Sequence, residues 1–346
     1  MRRVAFLALF AVVFAFGDAK LNANITAVQL DEGGFFVGTD AGEVLRYDIG
    51  AKKLDENFAI KLPSAKNYLD GSINARIHAL DIHKGVFVIA SEGDFGTQNV
   101  SVCRNSGRSS CSNSSGGVNS SAKNASGVNL NNAACTTIKS PFTNIKKVFF
   151  LDEKTAIFAL LSADIRLVDL SEFFNGAKNP KLITKKEFKF SITSLNDIAL
   201  SADKSRLLAG TESGELQIFG IKEWKVLANY DKINKDTIDQ VDYKNGIVVS
   251  CSKERKLGLV IKGEQKFEQK PYLIYSCALS PSGQIAAYSM LQADNYNSTT
   301  TLVQTRDFKA LKNFDNGRFF AKFIVFTSEN EFIVAGDKAI ITRGVK

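Results

Sequence analysis

The chain has 346 residues, of which 45% are hydrophobic and 23% charged, with a formal net charge of +8. This composition can bury a large core, which excludes a chain that is disordered throughout. With 2 His in the whole chain, a site that needs several imidazoles is excluded as well. Phe is frequent, with 26 residues against a single Trp, and this aromatic bias favours strands over helices.

The N-terminus has the pattern of a cleavable export signal. Arg2 and Arg3 precede an apolar run over residues 4–16, and Ala15 and Gly17 are the small residues expected before a cleavage site. The run is too short to span a bilayer comfortably, and no later segment reaches the roughly 18 apolar residues of a membrane span. We therefore expect a signal peptide over residues 1–17, no transmembrane segment, and an exported domain over residues 18–346.

After the leader, the chain repeats a unit of short alternating strands and tight turns. The clearest copies are residues 38–44, GTDAGEV, and residues 210–216, GTESGEL. Each pattern predicts a hairpin in which glycine supplies a positive φ and the acidic residue bonds nearby backbone N–H groups. Seven units begin near Ile25, Arg76, Ile145, Leu195, Ile238, Ile274 and Lys322.

These units resemble WD repeats, although they lack the Gly-His dipeptide of regular copies. At the position of the Trp-Asp dipeptide the chain has Tyr47-Asp48, Val168-Asp169 and Phe219-Gly220. The resemblance implies an all-β fold, a seven-bladed WD-repeat-like β-propeller in one domain, with six or eight blades as the alternatives. A strand around residues 20–22 is expected to complete the last blade, because ring closure removes exposed sheet edges.

One segment interrupts the second unit. Residues 101–140 are rich in Ser, Asn and Gly and contain no aromatic residue, which predicts a flexible insertion between the third and fourth strands. Cys103 and Cys135 bracket this insertion and are a candidate disulfide in an oxidising compartment, with Cys111–Cys135 as the alternative. Cys251 and Cys277 lie in predicted strands and are expected to be buried as small apolar side chains.

No motif of an enzyme or of a cofactor site occurs. The sequence has no HExxH, no phosphate-binding loop, no GxSxG and no CxxC. His78 and His83 lie at or beside one strand, and we interpret them as strand-end residues rather than metal ligands. We expect a protein that is not an enzyme, with no cofactor and no metal site. A propeller hydrolase of the lactonase type, with carboxylates in its channel, is the weaker alternative.

The turns between second and third strands are the candidate binding face. Two of them are long and carry an aromatic residue among acidic and amide groups, which is typical of an interface anchor with a polar rim. The candidate partner-binding residues are Glu92, Asp94, Phe95, Asp164, Lys253, Arg255, Asp294 and Tyr296.

Two further segments are similar to a narrower family. Residues 70–77, DGSINARI, and residues 91–96, SEGDFG, resemble segments of a propeller family that accompanies the periplasmic nitrate reductase. The resemblance leaves out the leader and the insertion. It implies a non-catalytic periplasmic accessory or maturation factor that binds components of the nitrate reductase. We further expect a monomer, and no nucleic-acid partner because an exported protein meets little nucleic acid. The rival interpretation is a scaffold of another periplasmic complex, such as an outer-membrane assembly machine.

Overall fold

Seven antiparallel sheets of four strands each follow one another in this computed structural model, which describes residues 19–31, 34–69, 71–104, 134–292 and 296–346. The sheets are the blades of a seven-bladed β-propeller, as the repeat predicts. Residues 1–17, the predicted signal peptide, lie outside the described residues. A short helix, α1 (Ser171–Phe174), lies between two strands of the third blade. One turn of 3-10 helix (Asp94–Gly96) lies between two strands of the second blade.

The first strands of neighbouring blades contact one another, so they surround the central channel. These innermost strands are β2 (Ile25–Asp31), β6 (Ile77–His83), β10 (Ile145–Phe150), β14 (Leu195–Leu200), β18 (Ile238–Lys244), β22 (Ile274–Leu279) and β26 (Phe323–Ser328). The second strands are β3 (Gly34–Thr39), β7 (Val86–Glu92), β11 (Thr155–Leu160), β15 (Arg206–Thr211), β19 (Ile247–Ser252), β23 (Ile285–Leu291) and β27 (Glu331–Gly336). Each innermost strand begins within one residue of the start that the repeat predicts.

The outer half of each blade is built in the same way. The third strands are β4 (Glu43–Asp48), β8 (Gln98–Arg104), β12 (Asp164–Asp169), β16 (Leu216–Gly220), β20 (Lys256–Ile261), β24 (Ser298–Gln304) and β28 (Ala339–Gly344). The outermost strands are β5 (Lys53–Lys61), β9 (Ala134–Lys139), β13 (Ile183–Lys189), β17 (Lys225–Tyr230), β21 (Glu264–Gln269), β25 (Ala310–Gly317) and, in the last blade, β1 (Ala19–Lys20).

Burial decreases from the inside of a blade to its rim. Every residue of β3 is buried, whereas β13 is exposed at all but one residue. A strand in the middle of a blade has a neighbouring blade against each of its faces, so both of its faces are apolar. Between the first and second blades, Phe36 packs edge-on against Phe87 with ring centroids 5.4 Å apart. Such contacts between blades make up the core.

Close packing against the next blade explains the glycine of the repeated Gly-Thr pair. A Cβ atom on Gly38 would lie 2.6 Å from Cγ2 of Ile77, the first residue of the next blade's innermost strand. On Gly210 it would lie 2.7 Å from Cγ2 of Ile238, which holds the same place in its own blade. Glycine is therefore required because the next blade approaches the backbone closely at this point.

The hairpin turn of the first blade is held differently from the sequence prediction. Gly42 has φ 76, as the turn requires, but the Thr39 hydroxyl is the group that accepts a hydrogen bond from Glu43 N, at 3.1 Å. The second copy repeats this bond. Asp40 instead accepts a bond of 2.9 Å from Asn24 N, ahead of the innermost strand. Asp40 therefore bonds a backbone N–H group, as predicted, but that group lies outside the turn, because the Thr39 hydroxyl already bonds Glu43 N.

The two chain termini close the ring in one blade. Ala19 pairs with Ile340 and Lys20 with Ala339, which places β1 outside β28. Leu21 N then donates to Lys338 O at 2.7 Å, so the bonding continues past the strand. The expected closing strand is present, one or two residues earlier than residues 20–22. The closure pairs the edge of β28 that an open ring would expose.

A disulfide joins Cys103 and Cys135 across the third and fourth strands of the second blade. The two residues are directly opposite in the register of β8 and β9. Residues 105–133, including Cys111, lie outside the described residues. The predicted insertion of residues 101–140 is too wide at both ends, because residues 101–104 and 134–139 are strand. Cys251 and Cys277 are both buried and unpaired.

Candidate functional site

The candidate residues lie on one face of the propeller. In an antiparallel blade, the turn between second and third strands and the segment that leads to the next blade emerge at the same end of the sheet. We term this end the upper face. Asp294 lies outside the described residues. The other seven candidates, Glu92, Asp94, Phe95, Asp164, Lys253, Arg255 and Tyr296, occupy or adjoin turns of the upper face.

The second blade carries an exposed pair of aromatic rings, the Tyr68–Phe95 patch. Tyr68 is 84% exposed and Phe95 is 48% exposed, and their ring centroids are 4.6 Å apart. Phe95 has φ 55 and donates its N–H to Lys66 O at 2.7 Å, while Asp94 Oδ1 accepts from Lys66 N at 2.8 Å. These bonds tie the turn to the segment that enters the blade. They fix the backbone beneath both rings.

A shallow cavity of about 460 Å³ opens beside this patch. Its lining combines the two rings with polar groups that include Thr97, Asn99 and Lys139. An exposed aromatic pair beside hydrogen-bonding groups is the composition of an interface hot spot. Tyr68 was not among the candidates from the sequence, because it lies in an irregular segment between two units where no periodicity applies.

The second predicted anchor is separate from the first. Tyr296 is 68% exposed and has φ 58, with its N–H bonded to Gln292 O at 2.9 Å. It belongs to the sixth blade, which is three blades away from the second around the ring. Phe95 and Tyr296 therefore share the upper face but do not form one patch. A single partner would contact both only by covering the channel mouth.

Several of the remaining candidates bond within the protein. Glu92 Oε2 lies 3.0 Å from His78 Nε2, and Asp164 Oδ2 accepts from the Ser162 hydroxyl at 2.6 Å. Arg255 Nη1 donates to Pro271 O at 3.2 Å. These contacts shape the turns of the upper face. Among the candidates that the structure describes, the aromatic residues and the exposed Lys253 are those without such contacts of their polar side-chain groups.

The structure reveals a ring of residues at the channel mouth that the sequence analysis missed. Six innermost strands have a register shift directly after their first residue, so that one residue bulges from the ladder. In the seventh blade the matching residue directly precedes β26. All seven are half-buried: Thr26, His78, Lys146, Asn196, Asp239, Tyr275 and Lys322.

Contacts between blades that are not neighbours show that this ring surrounds the axis. Gln240 of the fifth blade donates from Nε2 to Lys322 O, in the seventh, at 3.1 Å. Burial lowers the pKa of Lys322, and the charges of Arg76 and Lys146, from the second and third blades, lower it further. Residues of such distant blades approach one another only near the centre of the ring.

Burial is the main influence on the charged groups of the ring. It lowers the pKa of Lys146, against the opposing charge of Asp197, and it lowers the pKa of His78 against the bond to Glu92. On the other side of the mouth, burial raises the pKa of Asp239 to about 6, with Lys253 opposing. The mouth is thus cationic on one side and acidic on the other.

Deeper in the channel wall, polar side chains fasten one innermost strand to the next. Asp81 Oδ2 accepts from Phe150 N at 2.6 Å, and Asp242 Oδ2 accepts from Leu279 N at 2.9 Å. Gln240 Oε1 accepts from Cys277 N at 3.1 Å. The carboxylates of Asp81 and Asp242 are therefore engaged with backbone groups of neighbouring blades.

One solved structure illustrates the fold. The β-propeller domain of Cps50 (Swd1) from Myceliophteria thermophila aligns with a TM-score of 0.61 over 90% of this chain and 93% of that chain, at 12% sequence identity. At that identity, the likeness establishes the seven-bladed propeller fold. No family model matches the sequence, and no curated protein matches it.

None of the helices in the part of the chain that the structure describes has the length and apolarity needed to cross a membrane. The same residues contain no cluster of three or more His, Cys, Asp or Glu side chains that could hold a metal ion. The chain is therefore a seven-bladed propeller whose most distinctive surface features are the Tyr68–Phe95 patch and the channel mouth.

Proposed function

We propose that this protein is a non-catalytic scaffold that binds a protein partner through its upper face. The observation that carries the proposal is the Tyr68–Phe95 patch. Two large aromatic rings are held in contact with solvent by a turn that is bonded at its base. Exposed aromatic groups beside polar ones are the residues that dominate the binding energy of protein interfaces.

We further propose that the partner belongs to a periplasmic nitrate reductase system and that the protein is its accessory factor. Two observations support this compartment and this system. The disulfide between Cys103 and Cys135 is of the kind that persists in oxidising compartments. The resemblance of residues 70–77 and 91–96 to the accessory propellers concerns the same region as the patch, because Phe95 lies in the second segment.

Affinity capture from the envelope fraction tests this proposal. Tagged wild-type protein, expressed in the organism that it comes from, is expected to enrich nitrate reductase components over an untagged control, as measured by mass spectrometry. Enrichment of another envelope complex would reject the accessory role while keeping the scaffold. If no protein is enriched, the scaffold proposal itself fails.

The same preparation tests export. Cleavage after residue 17 predicts that N-terminal sequencing of the captured protein begins at or near Asp18. Recovery of the protein from the cytosol with Met1 intact would contradict the periplasmic assignment.

A further inference from the structure

Two lysine side chains at the channel mouth have no counter-ion among the residues that the structure describes. Lys146 and Lys322 form no ion pair there, although both are half-buried. The neighbouring Lys147 differs, because its Nζ lies 3.2 Å from Asp197 Oδ1. Removing a charge from water without pairing it costs free energy, so an unpaired buried ammonium is unusual in a structural role.

The two lysines also converge with a third cation. Lys322, from the seventh blade, and Lys146, from the third, both lie in the ring at the channel mouth. Burial lowers the pKa of Lys322, and the positive charges of Arg76 and then of Lys146 lower it further. The guanidinium of Arg76 has no side-chain bond among the described residues. Asp337 offers Lys322 a weaker, opposing charge, and its Oδ2 already accepts from Phe320 N at 2.9 Å.

The arrangement is complementary to an anion. Lys146 occupies the bulged position of β10, Lys322 directly precedes β26, and the exposed Arg76 directly precedes β6, so all three lie where innermost strands begin at the channel mouth. An anionic oxygen group at this point would receive charge-assisted hydrogen bonds from donors that are otherwise unsatisfied. It would also relieve the repulsion among the three cations.

We propose that the channel mouth binds a carboxylate of the partner polypeptide between Lys146, Lys322 and Arg76. This inference rests on the proposed protein-binding function and adds to it a second contact, chemically distinct from the aromatic patch. The partner then presents an acidic side chain or its C-terminal carboxylate to the centre of the upper face. Phosphate groups share this anionic chemistry, and the test separates the two sources.

A labelled octaglutamate peptide is the probe, and fluorescence anisotropy measures its affinity for the full mature protein. The double variant Lys146→Gln/Lys322→Gln is expected to bind it at least about tenfold more weakly than wild type. The matched control is Lys178→Gln/Lys225→Gln, which also removes two positive charges but from exposed positions away from the channel. This control is expected to stay within about twofold of wild type, since distant exposed charges are screened.

Thermal unfolding of the same variants verifies the fold and tests the account of the lysines. Neither ammonium group has a counter-ion among the described residues, and Lys322 has only a cation–π contact with the Phe323 ring at 5.1 Å. The channel variant is therefore expected to melt at or above the wild-type temperature. A lower melting temperature would show that the lysines have a structural role and would overturn the inference. So would an equal loss of peptide affinity in both double variants, or no binding of the peptide by wild type.

Competition with inorganic phosphate identifies the source of the anion. Unlabelled peptide is expected to displace the probe at lower concentration than phosphate does, and the reverse order would overturn the polypeptide as ligand. The capture experiment on the envelope fraction is independent of this one. A partner captured equally by wild type and by the channel variant would reject this inference and leave the scaffold proposal intact.

Discussion

Asp81 of the second blade accepts a hydrogen bond of 2.6 Å from the backbone N–H of Phe150 in the third. The bond joins two innermost strands at the channel wall, where neither strand has a ladder partner on that side. Burial raises the pKa of Asp81 from 3.8 to about 7, although the bond to Phe150 opposes this shift. Burial therefore favours the neutral carboxyl group, whereas the hydrogen bond from Phe150 favours the carboxylate, and burial is the larger of the two effects.

Replacing the carboxyl group of Asp81 tests whether its burial raises its pKa as described. Between the unfolded and folded pKa values the folded protein binds more protons, so this group's stabilisation is complete below pH 3.8 and is lost as the pH rises through about 7. Asp81→Asn keeps an acceptor oxygen without a charge. It should exceed wild type in stability at pH 8 by roughly 1–3 kcal/mol and by less at pH 5, as measured by urea unfolding.

Asp81→Ala is the matched comparison. It leaves the N–H of Phe150 without an acceptor and should destabilise the protein by roughly 1–3 kcal/mol. If the Asn and Ala variants were equally stable, the hydrogen bond between residue 81 and Phe150 N would make no contribution to stability. If the Asn variant lost activity in partner capture but not stability, Asp81 would belong to a functional site instead.

The close approach at Gly38 gives a second prediction. Gly38→Ala places a Cβ atom 2.6 Å from Ile77, so the two blades must separate or Ile77 must leave its rotamer. Overpacking of this kind typically costs about 1–3 kcal/mol. Chemical denaturation measures it. Gly50→Ala is the control, because the nearest atom to its Cβ is 3.5 Å away, and it should change stability by less than about 0.5 kcal/mol.

Ring closure by β1 gives a third prediction. Deletion of residues 19–22 removes the outer strand of the last blade and the buried side chains of Ala19 and Leu21. A protein that begins at residue 18 is the reference. The deletion should lower the melting temperature by several degrees in calorimetry and promote self-association, because the edge of β28 becomes exposed. An unchanged midpoint with a monomeric protein would show that closure contributes nothing.

The sequence predicted the fold well because a propeller repeats one physical problem seven times. An apolar residue recurs at or beside the start of each unit, and two of these residues pack on the preceding blade, Ile77 on Gly38 and Ile238 on Gly210. The starts of the blades are therefore visible as a period. The closing strand followed from the need to remove an edge. The turn chemistry was less accessible, since Thr39 and Asp40 are adjacent and only coordinates show which one bonds the turn.

The candidate site was predicted less completely, for two different reasons. Tyr68 lies in a segment between units, and its contact with Phe95 depends on how that segment folds back. The channel lysines did leave a signal. Once the units are aligned on their first apolar residue, Lys146 follows Ile145 as His78 follows Ile77, and a polar or aromatic residue recurs at that place. What the alignment does not give is the convergence of distant blades at the axis.

The central claim is that the upper face binds a protein through the Tyr68–Phe95 patch. Its most direct test is the affinity of the captured partner for immobilised wild type, for Tyr68→Ala/Phe95→Ala, and for Phe267→Ala. Phe267 is the control because its side chain is as exposed as that of Phe95, 48%, but lies on the outer strand β21. The account predicts that the patch variant binds about thirtyfold more weakly, since loss of an aromatic anchor costs about 2 kcal/mol or more. Unchanged affinity of the patch variant, or an equal loss in Phe267→Ala, would contradict it.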